Sequence, residues 1–180
     1  MKRTTVIPTI ITERLILRPP VHADLLPMQE MLASDRARFM GGPYDSKGAW
    51  RLFCQDIALW QIYGHGALMI DLRSNGACVG EVGINHGPFY PEKELGWLLF
   101  EGHEGQGYAH EASAALRDWA FDQLRLESLV SYIDPHNHTS IAVAQRLGAI
   151  LDPDALRQDA EDLVYRHWPG SKQPSPTAVV

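Results

Sequence analysis

The sequence predicts a single α/β (α+β) domain: a mostly antiparallel central sheet with helices on both faces and one local parallel pair. Three observations carry that expectation. The runs Ala67–Leu72, Cys78–Asn85 and Glu94–Phe100 are strand-like and follow one another over short links, the arrangement of antiparallel neighbours. A glycine loop then opens a long amphipathic helix pattern, and a further strand-like run follows it at Ser128–Ile133. Finally, 180 residues with 45% hydrophobic and 21% charged side chains suffice for one compact core.

Taken in chain order, the first dozen residues carry little pattern and read as a lead-in arm. Glu13–Arg18 reads as a short strand halted by Pro19-Pro20. Between Ala23 and Ala33, Leu25, Leu26, Met28, Met31 and Leu32 predict a helix whose start must lie near Pro27. Gly41-Gly42-Pro43 breaks the chain, after which Ser46 can cap a second helix. That helix runs to about Tyr63 on the spacing of Trp50, Phe53, Ile57 and Trp60, and Gly64 and Gly66 end it. Ser74-Asn75-Gly76 predicts a hairpin turn with positive φ at both central residues. Tyr108, Ala112, Ala115, Leu116, Trp119, Ala120 and Leu124 line one face of the long helix. Asp134-Pro135 stops the next strand, a short helix runs to Leu147, and Gly148 ends it. Val164–Trp168 reads as a last strand. The domain therefore spans 1–168, and 169–180 reads as a flexible tail.

Composition excludes several functions. A net charge of −6 argues against a protein that binds nucleic-acid phosphates and permits a cationic substrate. Two cysteines, Cys54 and Cys78, lie in apolar stretches and read as buried free thiols. The start Met1-Lys2-Arg3 lacks a following apolar region, and no run of about 18 apolar residues exists. The expectation is a cytoplasmic protein with no membrane partner.

Chemistry concentrates at Glu94–Phe100, Glu101–Ala109 and the helix that follows. A strand, glycine loop and helix in that order expose unpaired N–H groups at the positive end of a helix dipole, where a phosphate is stabilised. Gly105 and Gly107 permit the turn and a close approach. His110 stands where a dinucleotide fingerprint wants a third glycine, and no Gly-Lys-Ser/Thr follows for a Walker A loop. A bare helix-capping turn is the alternative.

Gly105-Gln106-Gly107-Tyr108-Ala109 with its strand and helix resembles the pyrophosphate loop of the GNAT acetyltransferases, in particular the ribosomal-protein N-terminal (RimJ/RimL-like) branch. Thr12–Pro19 is similar to that branch's opening strand, and Glu94-Leu95-Gly96-Trp97 to its central strand. Asp134–Ser140 with Leu147-Gly148-Ala149 resembles its strand-to-helix crossing. The resemblance runs from about Thr12 to Trp168. It implies a GNAT-like domain whose sheet splays where acetyl-CoA, the co-substrate, enters. Main-chain groups at Trp97, Leu98 and Leu99 would then pair with the pantetheine arm. Amides at Gly105, Gln106, Gly107, Tyr108, Ala109 and His110 would hold the pyrophosphate, and Asn137 and Ser140 would line the other side.

The implied reaction is N-acetylation of a primary amine, a small molecule or a protein N-terminus, by direct attack on the thioester. An amine is mostly protonated near neutral pH, so a proton acceptor is needed, with donors for the oxyanion and the departing thiolate. Glu94 and Glu81 are the candidate bases, Glu94 the better placed. Relatives carry a thiol-protonating tyrosine where this chain has Ala144, which leaves Ser140 or water for that step. Glu104 stands where relatives place a phosphate donor, and Ala149 where an aromatic often follows the glycine. The alternative function is an acyl-CoA-binding module without turnover.

Among eight histidines, His136-x-His138 beside Asp134, and His103 and His110 beside the glycine loop, raise a metal reading. Pro135 and Asn137 point to a turn there, so no metal is expected, and His103 and His110 could instead lend positive charge to a phosphate. Trp50, Trp60 and Trp119 sit on apolar helix faces and read as core. Trp50 and Tyr44 also lie near the segment that forms the acceptor pocket in relatives, and homodimerisation is common among them.

Overall fold

A computed structural model describes residues 6–170. Eight strands form one open sheet in the order β1-β2-β3-β4-β5-β6-β8-β7. They are β1 (Ile10–Ile11), β2 (Leu15–Arg18), β3 (Ala67–Leu72), β4 (Cys78–Asn85), β5 (Glu94–Leu99), β6 (Leu129–Ile133), β7 (Ile150–Leu151) and β8 (Leu163–His167). Every neighbouring pair is antiparallel except β5 and β6, which are parallel.

Four α-helices cover the sheet: α1 (Leu25–Leu32), α2 (Ser46–Tyr63), α3 (Tyr108–Gln123) and α4 (His138–Arg146). Period-two alternation divides the strand residues between two cores. Leu15, Leu17, Leu68, Ile70, Val82, Ile84, Leu95 and Leu99 pack with Ala112, Leu116 and Ala120 of α3. Met69 and Leu98 pack on the opposite face with Met28 and Leu32 of α1 and Phe53 of α2.

The elements follow the expected order, with five local differences. The lead-in arm contributes the two-residue edge strand β1. Asp45, not Ser46, caps α2, its carboxylate accepting from the Gly48 amide at 2.7 Å. In the β3–β4 turn only Gly76 takes positive φ (73°), while Asn75 holds the turn through its side chain, accepting from the Ala77 amide at 3.0 Å. Trp50 is 46% exposed, whereas Trp60 is buried, with its ring centroid 5.6 Å from that of Trp119. Cys54 and Cys78 are free as expected but half-buried. Pro27 is accommodated in the first turn of α1, where a missing N–H costs no helix bond. Most of the expected tail lies outside the described residues.

Strand β4 is irregular at its start. Ile70 pairs with Gly80 and Asp71 with Cys78, so Val79 is an extra residue, a β-bulge in β4. The bulge puts Val79 towards α3, while Glu81 keeps the regular register and pairs with Leu98 and Met69, both of the α1–α2 face. Gly80 permits this because any Cβ there would lie 2.3 Å from the Leu98 carbonyl oxygen and 2.9 Å from Leu99 Cα. Gly80→Ala is therefore expected to cost about 1–3 kcal/mol as overpacking against backbone. At Gly96, a Cβ would meet only Asn85 Nδ2 at 3.6 Å, so Gly96→Ala should leave the chain as stable as it is. Urea melts of the two variants would show the contrast, and equal midpoints would remove the constraint at Gly80.

Candidate functional site

The parallel pairing of β5 with β6 consists of one register pair, Glu94 with Val130, supported by the Val130 amide donating to the Lys93 carbonyl at 3.0 Å. Beyond it the ladder is ended by a side chain. The Ser131 hydroxyl donates to the Leu95 carbonyl at 2.7 Å and so occupies the next main-chain acceptor of β5. Since that hydroxyl proton is committed, His167 Nε2, 3.0 Å from Ser131 Oγ, must be the donor of that pair. Burial holds His167 neutral, its pKa pushed down to about 3 with help from the Arg117 charge. From Leu95 onward β5 and β6 diverge.

Register determines which groups face the gap. The Phe100 amide donates to the Val79 carbonyl, so alternate residues back along β5, Leu98 and Gly96, direct their main chain at β4. Leu95, Trp97 and Leu99 direct theirs at the gap. Leu99 also gives its carbonyl to Arg36 Nη2 at 2.9 Å. The open edge thus consists of the Trp97 N–H and C=O and the Leu99 N–H. Leu98, expected to share it, turns its main chain away and its side chain into the α1–α2 core.

The edge leads into the loop before α3. Gly102, Gly105 and Gly107 have φ of 84°, 74° and 81°, and no side chain caps the helix. The amides of the first turn, Tyr108 to His110, lie among the groups that a helix start leaves unpaired. The loop is braced from a distance. Arg14 donates to the Gln106 carbonyl at 2.9 Å and to Glu111 at 2.7 Å, and Glu111 also accepts from Thr12 Oγ1 at 2.6 Å. Glu104 pairs with Arg36 and accepts from the Gly102 amide at 3.1 Å, both of which hold its carboxyl below the usual range. Its charge is therefore neutralised. His110 Nε2 is 3.4 Å from the Arg146 carbonyl, linking α3 to α4. Tyr108 lies beneath the Arg14 guanidinium, and Ala109 is buried in the core.

The gap opens onto a cleft of about 540 Å3 on the α1–α2 side. The strands make its floor, where Gly83 of β4 pairs with Gly96 of β5 and Ala67 lies alongside. With no side chains larger than methyl, this floor stays low. Glu81 rises on one side of the glycine pair and Glu94 on the other. Both candidate bases thus line the same cleft, four residues apart along the strands, or about 13 Å at ~3.3 Å per residue. One atom cannot touch both.

Their surroundings differ. Asn85 Nδ2 donates to Glu94 Oε2 at 3.0 Å; burial raises the Glu94 pKa, and this bond opposes the rise. Glu81 is 7% exposed, and its Oε2 has no hydrogen-bond partner. Beside it on α2 lies Asp56, also buried and also lining the cleft. Burial pushes Asp56 up to about 7, and burial followed by the Asp56 charge pushes Glu81 well above its ordinary range. Asp56 was not legible as a site residue, because it falls among polar positions of an amphipathic helix and only tertiary packing places it against β4.

The α4 side of the cleft carries Asn137 and Ser140. Asn137 caps α4, its Oδ1 accepting from the Ser140 amide at 3.2 Å and Thr139 Oγ1 at 3.0 Å, which leaves its Nδ2 for a ligand. Ala144 is buried with Ile133 and Tyr165 and offers no proton. Tyr44 lines the cleft, and Trp50 does not. His136 and His138 are exposed, Asp134 accepting from His136, and among the described residues no three His, Cys, Asp or Glu side chains converge on a metal position.

The folded chain retains the Asp56 proton to about pH 7, and the unfolded chain releases it near 3.8. Stability contributed by this group is therefore lost as pH rises between those values. Asp56→Asn should raise the melting temperature at about pH 8 by ~2–4 °C or more, with the gain vanishing near pH 4. Calorimetric scans at the two pH values test this, and a pH-independent difference would remove Asp56 as a strained acid.

The model of the acetyltransferase (GNAT) domain matches residues 14–150. A crystal structure of an acetyltransferase from Agrobacterium tumefaciens superposes with a TM-score of 0.89 at 58% identity, over 91% of this chain and 96% of that one. RimL, a ribosomal L7/L12 alpha-N-protein acetyltransferase in complex with coenzyme A, superposes with a TM-score of 0.70 over 89% of this chain and 98% of its own. Its 20% identity makes this a likeness of fold alone. The uncharacterized protein YkkB of Bacillus subtilis is 31% identical over 88 residues, 48% of this chain and 51% of that protein, so the match spans about half of that curated relative. With a domain match across most of its length and a 58% identical acetyltransferase of the same shape, the chain belongs to the GNAT acetyltransferase family.

Proposed function

We propose that the chain transfers an acetyl group from acetyl-CoA to a primary amine. The observation that carries this reading is the continuity of three features: an open strand edge, an uncapped glycine-rich helix start at one end of it, and an acidic cleft beside it. The Trp97 and Leu99 main chain suits the amides of a pantetheine arm as a short added strand would. Amides from Gly105 to His110 suit a pyrophosphate, through backbone donors at a helix N-terminus. Bound there, acetyl-CoA supplies the acetyl group already activated as a thioester.

The chain's own residues have three tasks. Glu81 takes the proton from the incoming ammonium, because its Oε2 is unpartnered within the cleft whereas Glu94 already accepts from Asn85. Asn137 Nδ2 and Ser140 Oγ, on the opposite wall, are the donors available to developing negative charge. The low floor of Gly83 and Gly96 gives the amine room to approach.

Calorimetry with acetyl-CoA, run beside a free-thiol assay over a panel of amines, tests the reading. Acceptor-dependent thiol release is expected, while binding without release would indicate an acyl-CoA-binding module. Gly107→Val should weaken acetyl-CoA binding at least about tenfold, since the left-handed φ of 81° strains any branched residue by ~1–2 kcal/mol. Undiminished affinity would remove the loop from the site.

A carboxyl with a raised pKa must ionise before it can accept a proton, so kcat should climb with pH above the ordinary carboxylate range. Glu81→Gln should flatten that climb and lower kcat by ~10²–10⁴-fold with acetyl-CoA affinity unchanged. Glu94→Gln should lower kcat far less. The reverse ranking in a pH–rate series would return the role to Glu94.

A further inference from the structure

Six carboxyl groups line the cleft (Asp56, Glu81, Glu94, Asp134, Asp159 and Asp162) against one guanidinium, Arg38, and no lysine. Elsewhere carboxylates find partners: Glu111 with Arg14, Asp24 and Asp71 with Arg18, Glu104 with Arg36, and Glu92 and Asp152 with Arg166. Of the six in the cleft only Asp134 has an ionic contact among the described residues, with His136 at 3.1 Å. A low-dielectric cleft lined by one sign of charge concentrates the opposite sign.

These groups are divided between two ends. Asp56 and Glu81 stand at one, with the Glu81 Oε2 buried, unpartnered and on the cleft wall. Glu94 stands at the other, with Asp162 close enough to act on its charge and with Asp159 and Asp134 acting on Asp162 against the weaker opposing charge of Arg157. Tyr90 lies between and feels both Glu94 and Asp56. The glycine floor joins the ends, and Tyr44, Phe39 and Trp97 add aromatic wall that suits alkyl chains and ammonium groups.

We infer that the acceptor is a linear dication, a small α,ω-diamine or polyamine, held with its reacting nitrogen at Glu81 and its second ammonium at Glu94 and Asp162. This rests on the amine-acetylating function proposed above and specifies its substrate class. Glu81 and Glu94 stand on backbone positions about 13 Å apart along the strands, so the spacing of the two nitrogens is bounded and one diamine length should match it best. Two N–H bonds of the reacting ammonium and the thioester C–S bond break while one C–N bond forms: the first proton passes to Glu81 before attack, and the second goes to the departing thiolate, so that coenzyme A leaves as the free thiol. The second ammonium stays charged throughout.

The test is calorimetric binding of straight-chain α,ω-diamines of increasing length, each beside its monoamine, to the CoA-loaded protein, with thiol release measured on the same series from acetyl-CoA. Diamines near the matched span should bind at least about tenfold more tightly than monoamines. That preference should collapse towards unity in Glu94→Gln/Asp162→Asn. A bis-quaternary ammonium of the same span cannot be acetylated, and it should inhibit or bind the unaltered protein more strongly than its mono-quaternary counterpart, a readout that survives any misfolding of the variant. Equal binding of diamines and monoamines, or of the two quaternary salts, would overturn the inference, as would a neutral-side-chain N-terminal peptide bound as well as the best diamine. Thiol release from monoamines and diamines alike would leave acetyl transfer standing while removing the dication. Selective diamine binding without thiol release from any amine would do the opposite.

Discussion

The site depends on one substitution in the hydrogen-bond ladder, the Ser131 hydroxyl standing where a main-chain N–H of β6 would otherwise pair with β5. A buried carbonyl left unpaired costs about 1–3 kcal/mol, so two strands cannot simply separate inside a protein. Ser131 satisfies the Leu95 carbonyl, and His167 on β8 satisfies Ser131 in turn. That second bond requires a proton on Nε2, and burial with Arg117 nearby keeps the ring neutral across the whole physiological range, so that proton is the ring's one N–H. The main-chain acceptor at the opening is therefore satisfied, while His167 Nδ1 stays buried without a partner. The unpaired main-chain groups lie on the edge and loop that can receive a ligand.

A second device acts at right angles to the first. Glu81 faces the α1–α2 side through its register with Met69 and Leu98, just past the bulge at Val79, and Gly80 between them is required because the Leu98 carbonyl lies where a side chain would be. Gly83 and Gly96 then keep the floor clear between Glu81 and Glu94. Opening and floor meet at Trp97 and Gly96, so a ligand on the edge and one in the cleft share a boundary along β5.

Much of this was legible in the chain. Glycines at 105 and 107 ahead of a helical apolar face announced the loop, because left-handed φ and an uncapped helix start are local properties. The strand runs from Ala67 to Leu99 were set by composition and alternation, which register converts into two faces. What escaped depended on contacts between distant segments. The bulge is invisible because nothing in Cys78-Val79-Gly80 says which residue the neighbouring strand will skip. The same ignorance of register assigned Leu98 to the open edge. Asp56 was hidden because a polar residue on an amphipathic helix looks solvated until the sheet beneath it is known, and Trp50 looked buried for the converse reason. Asp45 displaced Ser46 as the cap because the two neighbouring residues are equally suited to that role, and only the backbone decides between them.

The distribution of charge separates the parts of the molecule that maintain the fold from those that act. Arg18 fixes Asp24 and Asp71 at one end of the sheet, and Arg166 fixes Glu92 and Asp152 at the other. Arg14 and Arg36 hold the loop through Glu111 and Glu104. Paired carboxylates of this kind ionise readily, as the depressed values of Asp24, Glu104 and Glu111 indicate. The cleft acids Asp56, Glu81, Glu94 and Asp162 move the other way, raised by burial and by one another. Below their raised values they are neutral and cost little. Above them they form a field that Arg157 and the Asn85 amide offset only in part, and burial makes each one costly to ionise in the folded protein. A cation entering the cleft relieves that cost, so the energy withheld from folding reappears as affinity. The same raised pKa that makes Glu81 expensive to ionise makes it a strong proton acceptor once ionised, and the positive charge it removes is the one that would otherwise prevent an amine from attacking a thioester.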